Sequence, residues 1–379
     1  MKPAICVPIR ILHVIISLNA GGAEHMLCKL IENRDMKKFE TTVLSLTNKG
    51  FYADRIEKSG VKIIDLELGF TFRCIKKIIM VMKMSMRNNF DVYQGWMYHG
   101  NIIAYFLHVI SSKSKLFWNI RQSINNWNNE KVHAKIFIKI GAILSRQPES
   151  IINNSIASIK EHELIGFEKG KQKYIPNGFN IESVQCNNRP SIRENILVIK
   201  FCTVARFHPN KGHKVLLESF KIYLEKRPAV LVLVGTDCDS SNELLINTIK
   251  EFGLTDYVVL MGERKDVNQI LREIDCFILP SVGVEGFPNA LGEAMLAKKL
   301  CIATDIGECQ AMLKGIGWIV EPGNTKALVN AMIDVSNMSN GEYLRRGNLS
   351  EEKIIRNYNI EDITKKYELL WLNSQNITG

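Results

Sequence analysis

The 379-residue sequence predicts an α/β protein built from two doubly wound parallel sheets. Short apolar runs alternate with helical stretches along the chain, the pattern of βα units on parallel sheets. The alternation passes through two rounds, with a polar stretch at 186–195 between them. The length is sufficient for two separate cores.

In the first round, strands are expected where apolar residues run together: 11–16, 42–46, 62–65, 92–94 and 116–120, with closing strands at 150–153 and 173–175. Helices are expected between them at 23–31, 54–59, 75–87, from Asn101 onward, and at 131–145. The turn cluster Ile175-Pro176-Asn177-Gly178-Phe179-Asn180 closes this round. The second round places strands at 197–205, 230–234, 258–261, 276–280 and 300–304. Its helices start at Lys214, at Ser241, at Pro288 and at Lys326, and a last helix covers 360–372. Proline suits the first turn of a helix, and Ala290 and Leu291 propagate it.

With 46% apolar and 23% charged residues, the composition is that of an ordinary globular protein. The nine cysteines are scattered and none forms a C-x-x-C pair. Neither a zinc site nor a disulfide framework is expected, only small buried hydrophobes in a reducing compartment. No apolar run has the length of a membrane span, and the run at 11–18 is too short for a secretory leader. The expectation is a cytoplasmic protein, or one on the cytoplasmic face of a membrane. Residues 1–185 hold 26 Lys/Arg against 15 Asp/Glu, and residues 186–379 hold 23 against 24, so the net +10 belongs to the N-terminal half. That excess reads either as a solvated surface or as attraction to anionic lipid headgroups or an acidic acceptor. The stretch C-I-K-K-I-I-M-V-M-K-M-S-M-R at 74–87 fits a helix with its apolar side in the core and its lysines at an anionic membrane. A nucleic-acid partner is not expected, because no known binding module is present and the basic residues are not interleaved with aromatics.

The stretch 281–295, S-V-G-V-E-G-F-P-N-A-L-G-E-A-M, carries the most chemistry. It follows a buried strand, turns through Gly286-Phe287-Pro288 and opens a helix. Backbone N–H groups around Phe287, Pro288, Asn289, Ala290 and Leu291, with the helix dipole behind them, favour an anion such as a diphosphate. Glu285 and Glu293 flank that place, and carboxylates beside a phosphate site suit sugar or ribose hydroxyls, hence a nucleotide-sugar. Upstream, Arg206 and Lys211 lie five apart in R-F-H-P-N-K-G, a fork and a point charge for a diphosphate or a basic surface loop. Gly21 and Gly22 follow the first strand and open the first helix, where a backbone approaches a ligand closely. His208 and His213 read as scaffold residues. Asp266 reads as a helix cap.

The E-x7-E spacing within E-G-F-P-N-A-L-G-E-A-M closely resembles the donor-site signature of retaining glycosyltransferases of family 4. The resemblance implies two facing Rossmann-like (GT-B) domains with an inter-domain cleft and a C-terminal helix crossing back to the first domain. It places an acceptor-binding domain at 1–185, with 358–379 packing on it, and a donor-binding domain at 186–357. It assigns Arg206 and Lys211 to the diphosphate, Glu293 to the ribose, and the backbone near Glu263 and Arg264 to the base. Gly21 and Gly22 face the diphosphate, and Glu285 and His99 flank the sugar. Arg121, a cation following the strand at 116–120, reads separately as a contact for a charged acceptor. The activity implied is retaining transfer without a metal or other cofactor. Trp96-Met97-Tyr98-His99-Gly100-Asn101 is similar to bacterial enzymes that extend capsule or O-antigen units, which implies a saccharide or polyprenyl-diphosphate-linked acceptor. Asn154-Ser155 matches a structural element of the family. The competing readings are a nucleotide-sugar 2-epimerase or hydrolase of the same fold, which gives no reason for the E-x7-E wording, and a non-catalytic polyanion binder.

Overall fold

The computed structural model describes residues 7–67, 72–87, 89–111, 113–124, 127, 131–181, 198–283 and 285–373. The expected linker at 186–195 lies outside the described residues. The chain divides into two compact units: Met1–Gly178 with Ile360–Gly379, and Phe179–Asn359.

The first unit holds strands β1 (Ile9–Ile15), β2 (Phe39–Ser45), β3 (Lys62–Asp65), β4 (Val92–Trp96), β5 (Lys115–Ile120), β6 (Ser150–Asn153) and β7 (Gln172–Tyr174). They form one parallel sheet in the order β3-β2-β1-β4-β5-β6-β7. Helices α1 (Gly22–Glu32), α2 (Ala53–Lys58), α3 (Phe72–Met86), α4 (Met97–Val109), α5 (Val132–Leu144) and α6 (Ile156–Ile165) connect them. β1 shows why its sequence is nearly all apolar: Ile9, Ile11 and Ile15 enter one core and Leu12 and Val14 the other. Ser155 caps α6, its hydroxyl accepting from the Ser158 amide at 3.0 Å, so Asn154-Ser155 is structural here.

α4 begins four residues earlier than expected, at Met97 rather than Asn101. The chain turns from β4 into α4 through Met97 at φ +61°. A side chain at Gly100 would lie 2.4 Å from the Val14 carbonyl, and one at Gly95 2.5 Å from Asn101 Cα. Gly100 therefore lets the start of α4 press against β1, and Gly95 lets it press against β4, which a reading based on apolar runs does not detect.

Several imidazoles are buried in this unit. His13 Nδ1 accepts from Trp96 Nε1 at 3.2 Å, and burial lowers its pKa to about 3. His162 lies 2.7 Å from both the Tyr98 hydroxyl and the Ser158 carbonyl, and burial lowers its pKa to about 4. A folded pKa below the unfolded value of about 6.5 means that the unfolded chain binds more protons as the pH falls. The stability held at neutral pH is thus expected to be lost below about pH 6.5 and to keep falling toward pH 4, by up to about 1.4 kcal/mol per pH unit for each such imidazole. Urea midpoints measured across this range check the slope, and a flat profile would refute it.

The second unit holds β8 (Ile199–Val204), β9 (Ala229–Val234), β10 (Val258–Leu260), β11 (Cys276–Leu279), β12 (Leu300–Thr304) and β13 (Trp318–Val320). Their parallel order is β10-β9-β8-β11-β12-β13. The helices are α7 (His213–Leu224), α8 (Glu243–Glu251), α9 (Val267–Arg272), α10 (Asn289–Leu296), α11 (Cys309–Leu313), α12 (Thr325–Ser336) and α13 (Asn340–Tyr358). β13, α11 and the 19-residue α13 were not anticipated. α13 is polar overall and buries only a narrow seam, Tyr343, Gly347, Ser350, Ile354 and Tyr358. With Gly and Ser in the seam, its apolar period is too weak to recognise.

The last helix, α14 (Ile360–Asn373), belongs to the first unit and buries Ile360, Ile363, Tyr367 and Trp371 in its core. Trp371 Nε1 donates to Gln94 Oε1 at 3.2 Å, and the Tyr367 hydroxyl donates to Asn119 Oδ1 at 3.0 Å. The Tyr367 hydroxyl also accepts from the Arg121 guanidinium, which donates to the Ile175 carbonyl at 2.9 Å as well. Arg121, expected to meet a charged acceptor, is only 8% exposed, and the Trp96 and Tyr367 rings lie beside its guanidinium. That expectation is corrected: Arg121 turns inward and ties β5 to α14.

Candidate functional site

In each sheet the strand order reverses once, between β1 and β4 and between β8 and β11. Loops leaving the carboxyl ends of strands at such a reversal diverge and form a crevice, the usual ligand position in open α/β sheets. In the second unit these loops are residues 205–212 and 280–288.

The two loops are joined through their backbones. The amides of Val282 and Gly283 donate to the Asn210 carbonyl at 2.9 and 3.1 Å. Gly212 has φ +69°, and a Cβ there would lie 1.9 Å from the Pro280 carbonyl. This close approach brings Lys211 to Glu285, and the two side chains form an ion pair. The Ser281 hydroxyl donates to the same Glu285 oxygen at 2.7 Å, and Thr304 Oγ1 donates to the Ser281 carbonyl at 2.7 Å. Gly307, in the loop after β12, also makes room: a Cβ there would meet the Glu285 carbonyl at 2.2 Å. Glu285 is 8% exposed. Ser281, Thr304 and Gly307 were not singled out in the sequence. A serine closing the β11 run and a glycine turn after β12 were the available signals.

α10 starts beside this pair, with Pro288 at its N-cap and Asn289 and Ala290 half-buried. Its first amides have no intrahelical acceptor and carry the positive end of the helix dipole. The helix is fixed from below, where the Phe287 ring packs 6.0 Å from Phe179 and 5.5 Å from Tyr358. Leu291 is buried in the same core. Gly292 is required there, because a Cβ would lie 2.1 Å from the Phe179 ring. Glu293, half-buried, lies one turn beyond Asn289. Arg206 is exposed in the loop after β8.

Burial and the neighbouring Lys211 charge lower the His213 pKa to about 4, and its Nε2 lies 3.7 Å from the Cys238 sulfur. His208 accepts from the Asn210 amide at 3.3 Å and caps a short turn. Both histidines serve the scaffold. Glu263 and Arg264 stand after β10, which β9 separates from β8. Glu263 accepts from the Thr236 hydroxyl at 3.3 Å. Asp266, expected to cap α9, makes no side-chain cap bond and instead clamps Arg264 at 2.8 and 2.7 Å.

In the first unit the reversal lies between β1 and β4, where Gly21, Gly22 and His99 stand. Gly21 is the N-cap of α1 with extended backbone, and a Cβ there would lie 2.3 Å from a Glu24 carboxylate oxygen. Burial raises the Glu24 pKa. His99 lies in the first turn of α4, its ring centre 4.0 Å from that of Phe137, and burial, then the charge of His133, lower its pKa.

Residues 199–337 match the family described as Glycosyl transferases group 1. The matched segment lies within the second unit. The chain is 28% identical over 214 residues to the UDP-Gal:alpha-D-GlcNAc-diphosphoundecaprenol alpha-1,3-galactosyltransferase of Escherichia coli, covering 54% of each protein. It is 24% identical over 252 residues to the capsular polysaccharide biosynthesis glycosyltransferase CapM of Staphylococcus aureus, covering 64% of this chain and 63% of that one. The match spans about half the length of the first curated relatives. Among solved structures, Anabaena HepE in complex with UDP and glucose aligns over 97% of this chain and 100% of its own, with a TM-score of 0.81 and 19% identity. The fold is that of the GT-B glycosyltransferases, two Rossmann-like parallel-sheet domains.

Proposed function

We propose that the protein is a retaining hexosyltransferase that moves a sugar from a UDP-activated donor to a polyprenyl-diphosphate-linked saccharide during cell-surface polysaccharide synthesis. The observation that carries this reading is the meeting of Lys211 and Glu285 at the β8–β11 reversal, beside the start of α10. Lys211 and the exposed Arg206 supply cations for the diphosphate, and the first amides of α10 supply oriented dipoles. As the bond from the anomeric carbon to the diphosphate breaks, charge develops on the leaving oxygen, and preorganised groups stabilise it without reorganising. The acceptor hydroxyl forms the new bond to the same carbon and passes its proton to the departing diphosphate oxygen. Glu285 orients sugar hydroxyls and Glu293 the ribose. His99 in the first unit is a candidate catalytic residue. The expected activity needs no metal or other cofactor. A location at the cytoplasmic face of an anionic membrane fits the basic first unit and a lipid-linked acceptor, and among the described residues no helix is long and apolar enough to cross a membrane.

Thermal-shift measurements with UDP, GDP, ADP, TDP and CMP, each with magnesium and with chelator, test the donor site. A ligand bound only by the folded state raises the melting temperature by mass action. UDP is expected to give the largest shift, retained in chelator and lost in Lys211→Ala. No shift with any nucleotide would sink the transferase reading. Sugar release without an acceptor would turn it toward a hydrolase.

A further inference from the structure

The exposed faces of α3, α4 and α5 carry residues that the donor site does not use. These three helices contain no Asp or Glu, yet α3 and α5 supply Lys76, Lys83, Lys135 and Lys139, while Lys77 pairs with Asp65 and Glu67 at 3.3 and 3.4 Å. α4 packs against both α3 and α5. On α5, Val132, Ile136, Ile140 and Ile143 recur at helical spacing and all face solvent, with Val132 75% and Ile143 77% exposed. On α3, Ile75, Ile79, Met82 and Met86 repeat the pattern, and α4 adds Phe106 and Val109. The sequence placed the apolar side of α3 in the core, whereas the structure buries Val81 and Ser85 and turns most of the larger apolar residues outward beside the lysines. A groove of about 420 Å³ along α3 alternates Lys76, Lys83 and Arg87 with Ile79, Met80 and Met84. The ammonium groups of Lys135 and Lys139 lie 5.8 and 5.9 Å from the Trp127 ring centre.

A helix that faces only water presents a polar outer side. Two adjacent helix faces that pair aliphatic stripes with cations and carry no acid of their own match the boundary of an anionic bilayer, where apolar side chains enter the acyl region and lysine heads reach the headgroups. A nucleic-acid strand would call for aromatic platforms among the cations rather than stripes of isoleucine, valine and methionine. We propose that this face seats the protein on an anionic lipid surface, with the α5 stripe as its principal apolar anchor. The inference deepens the membrane location above and rests on the transferase reading only for the use of that location.

Flotation of the full chain with phosphatidylglycerol–phosphatidylcholine vesicles, against phosphatidylcholine alone, tests it at low and high salt. The protein is expected to float with the anionic vesicles and much less at high salt. Ile136→Ser/Ile140→Ser should reduce binding roughly tenfold through lost apolar burial. Lys135→Gln/Lys139→Gln should reduce it by about fivefold per lysine. Both variants should keep the wild-type UDP thermal shift, which shows that they fold and separates this inference from the donor-site reading. Unchanged flotation of the isoleucine variant, or equal flotation with neutral vesicles, overturns the proposal. Retention on double-stranded DNA that the isoleucine variant matches would reassign the face to polyanions and overturn it too.

Discussion

Glu285→Gln is expected to tighten UDP binding while reducing sugar transfer by about 100-fold. Without donor, Glu285 holds Lys211 in an ion pair, and the Ser281 hydroxyl donates to the same carboxylate oxygen. An incoming diphosphate competes with that carboxylate for the lysine and is also repelled by it. Glutamine keeps the size and the acceptor oxygen for Ser281 but loses the charge, so the ammonium is released to the phosphate. An ion pair of about 1 kcal/mol in competition corresponds to roughly fivefold tighter binding when removed. Transfer falls because a charged acceptor for sugar hydroxyls, of about 1.5–3 kcal/mol, is lost. Calorimetry with UDP and initial rates with the full donor separate the two effects. If the variant binds UDP more weakly than wild type, Glu285 is a support for the lysine and not its competitor.

Gly212→Ala is expected to destabilise the second unit by about 3–5 kcal/mol and to abolish UDP binding. Two causes add. The residue has φ +69°, a region that costs an L-residue about 1–2 kcal/mol. The new methyl would also lie 1.9 Å from the Pro280 carbonyl, a backbone atom held by the strand behind it. Relief requires the loops after β8 and β11 to separate, which parts Lys211 from Glu285. Gly253 provides the control, having φ +70° with nothing within 4 Å of an added Cβ. Gly253→Ala should show only the backbone effect, about 1–2 kcal/mol, with UDP binding intact. Urea unfolding and UDP titration of both variants decide the matter, and equal losses would refute the contact between the loops.

Much of the fold was legible because buried parallel strands are written as continuous apolar runs. β3, β6 and β12 lie where the runs at 62–65, 150–153 and 300–304 place them. α13 was not legible, since its seam of glycine, serine and tyrosine has little apolar contrast with its other faces. The start of α4 was misplaced because Met97 turns abruptly with no glycine or proline at the turn itself. Arg121 illustrates a different limit. A cation after a strand reads as a ligand contact, and only the packing of α14, more than 200 positions away, shows that Tyr367 claims it.

The sequence by itself determined the two rounds of βα units, and with them the residues at each strand's carboxyl end, because periodicity and strand length are local properties. Arg206, Lys211, Glu285 and Glu293 follow such strands, and the resemblance to a family signature singled them out. The tertiary structure alone decided that Lys211 bonds Glu285, that Ser281, itself held by Thr304, binds the carboxylate, and that α5 turns Ile136, Ile140 and Ile143 to solvent. Each of these depends on which loops and helices meet across strands distant in sequence. Close approach at Gly212 and Gly307 fixes the loop contacts, and a glycine's letter does not say what lies opposite its missing side chain.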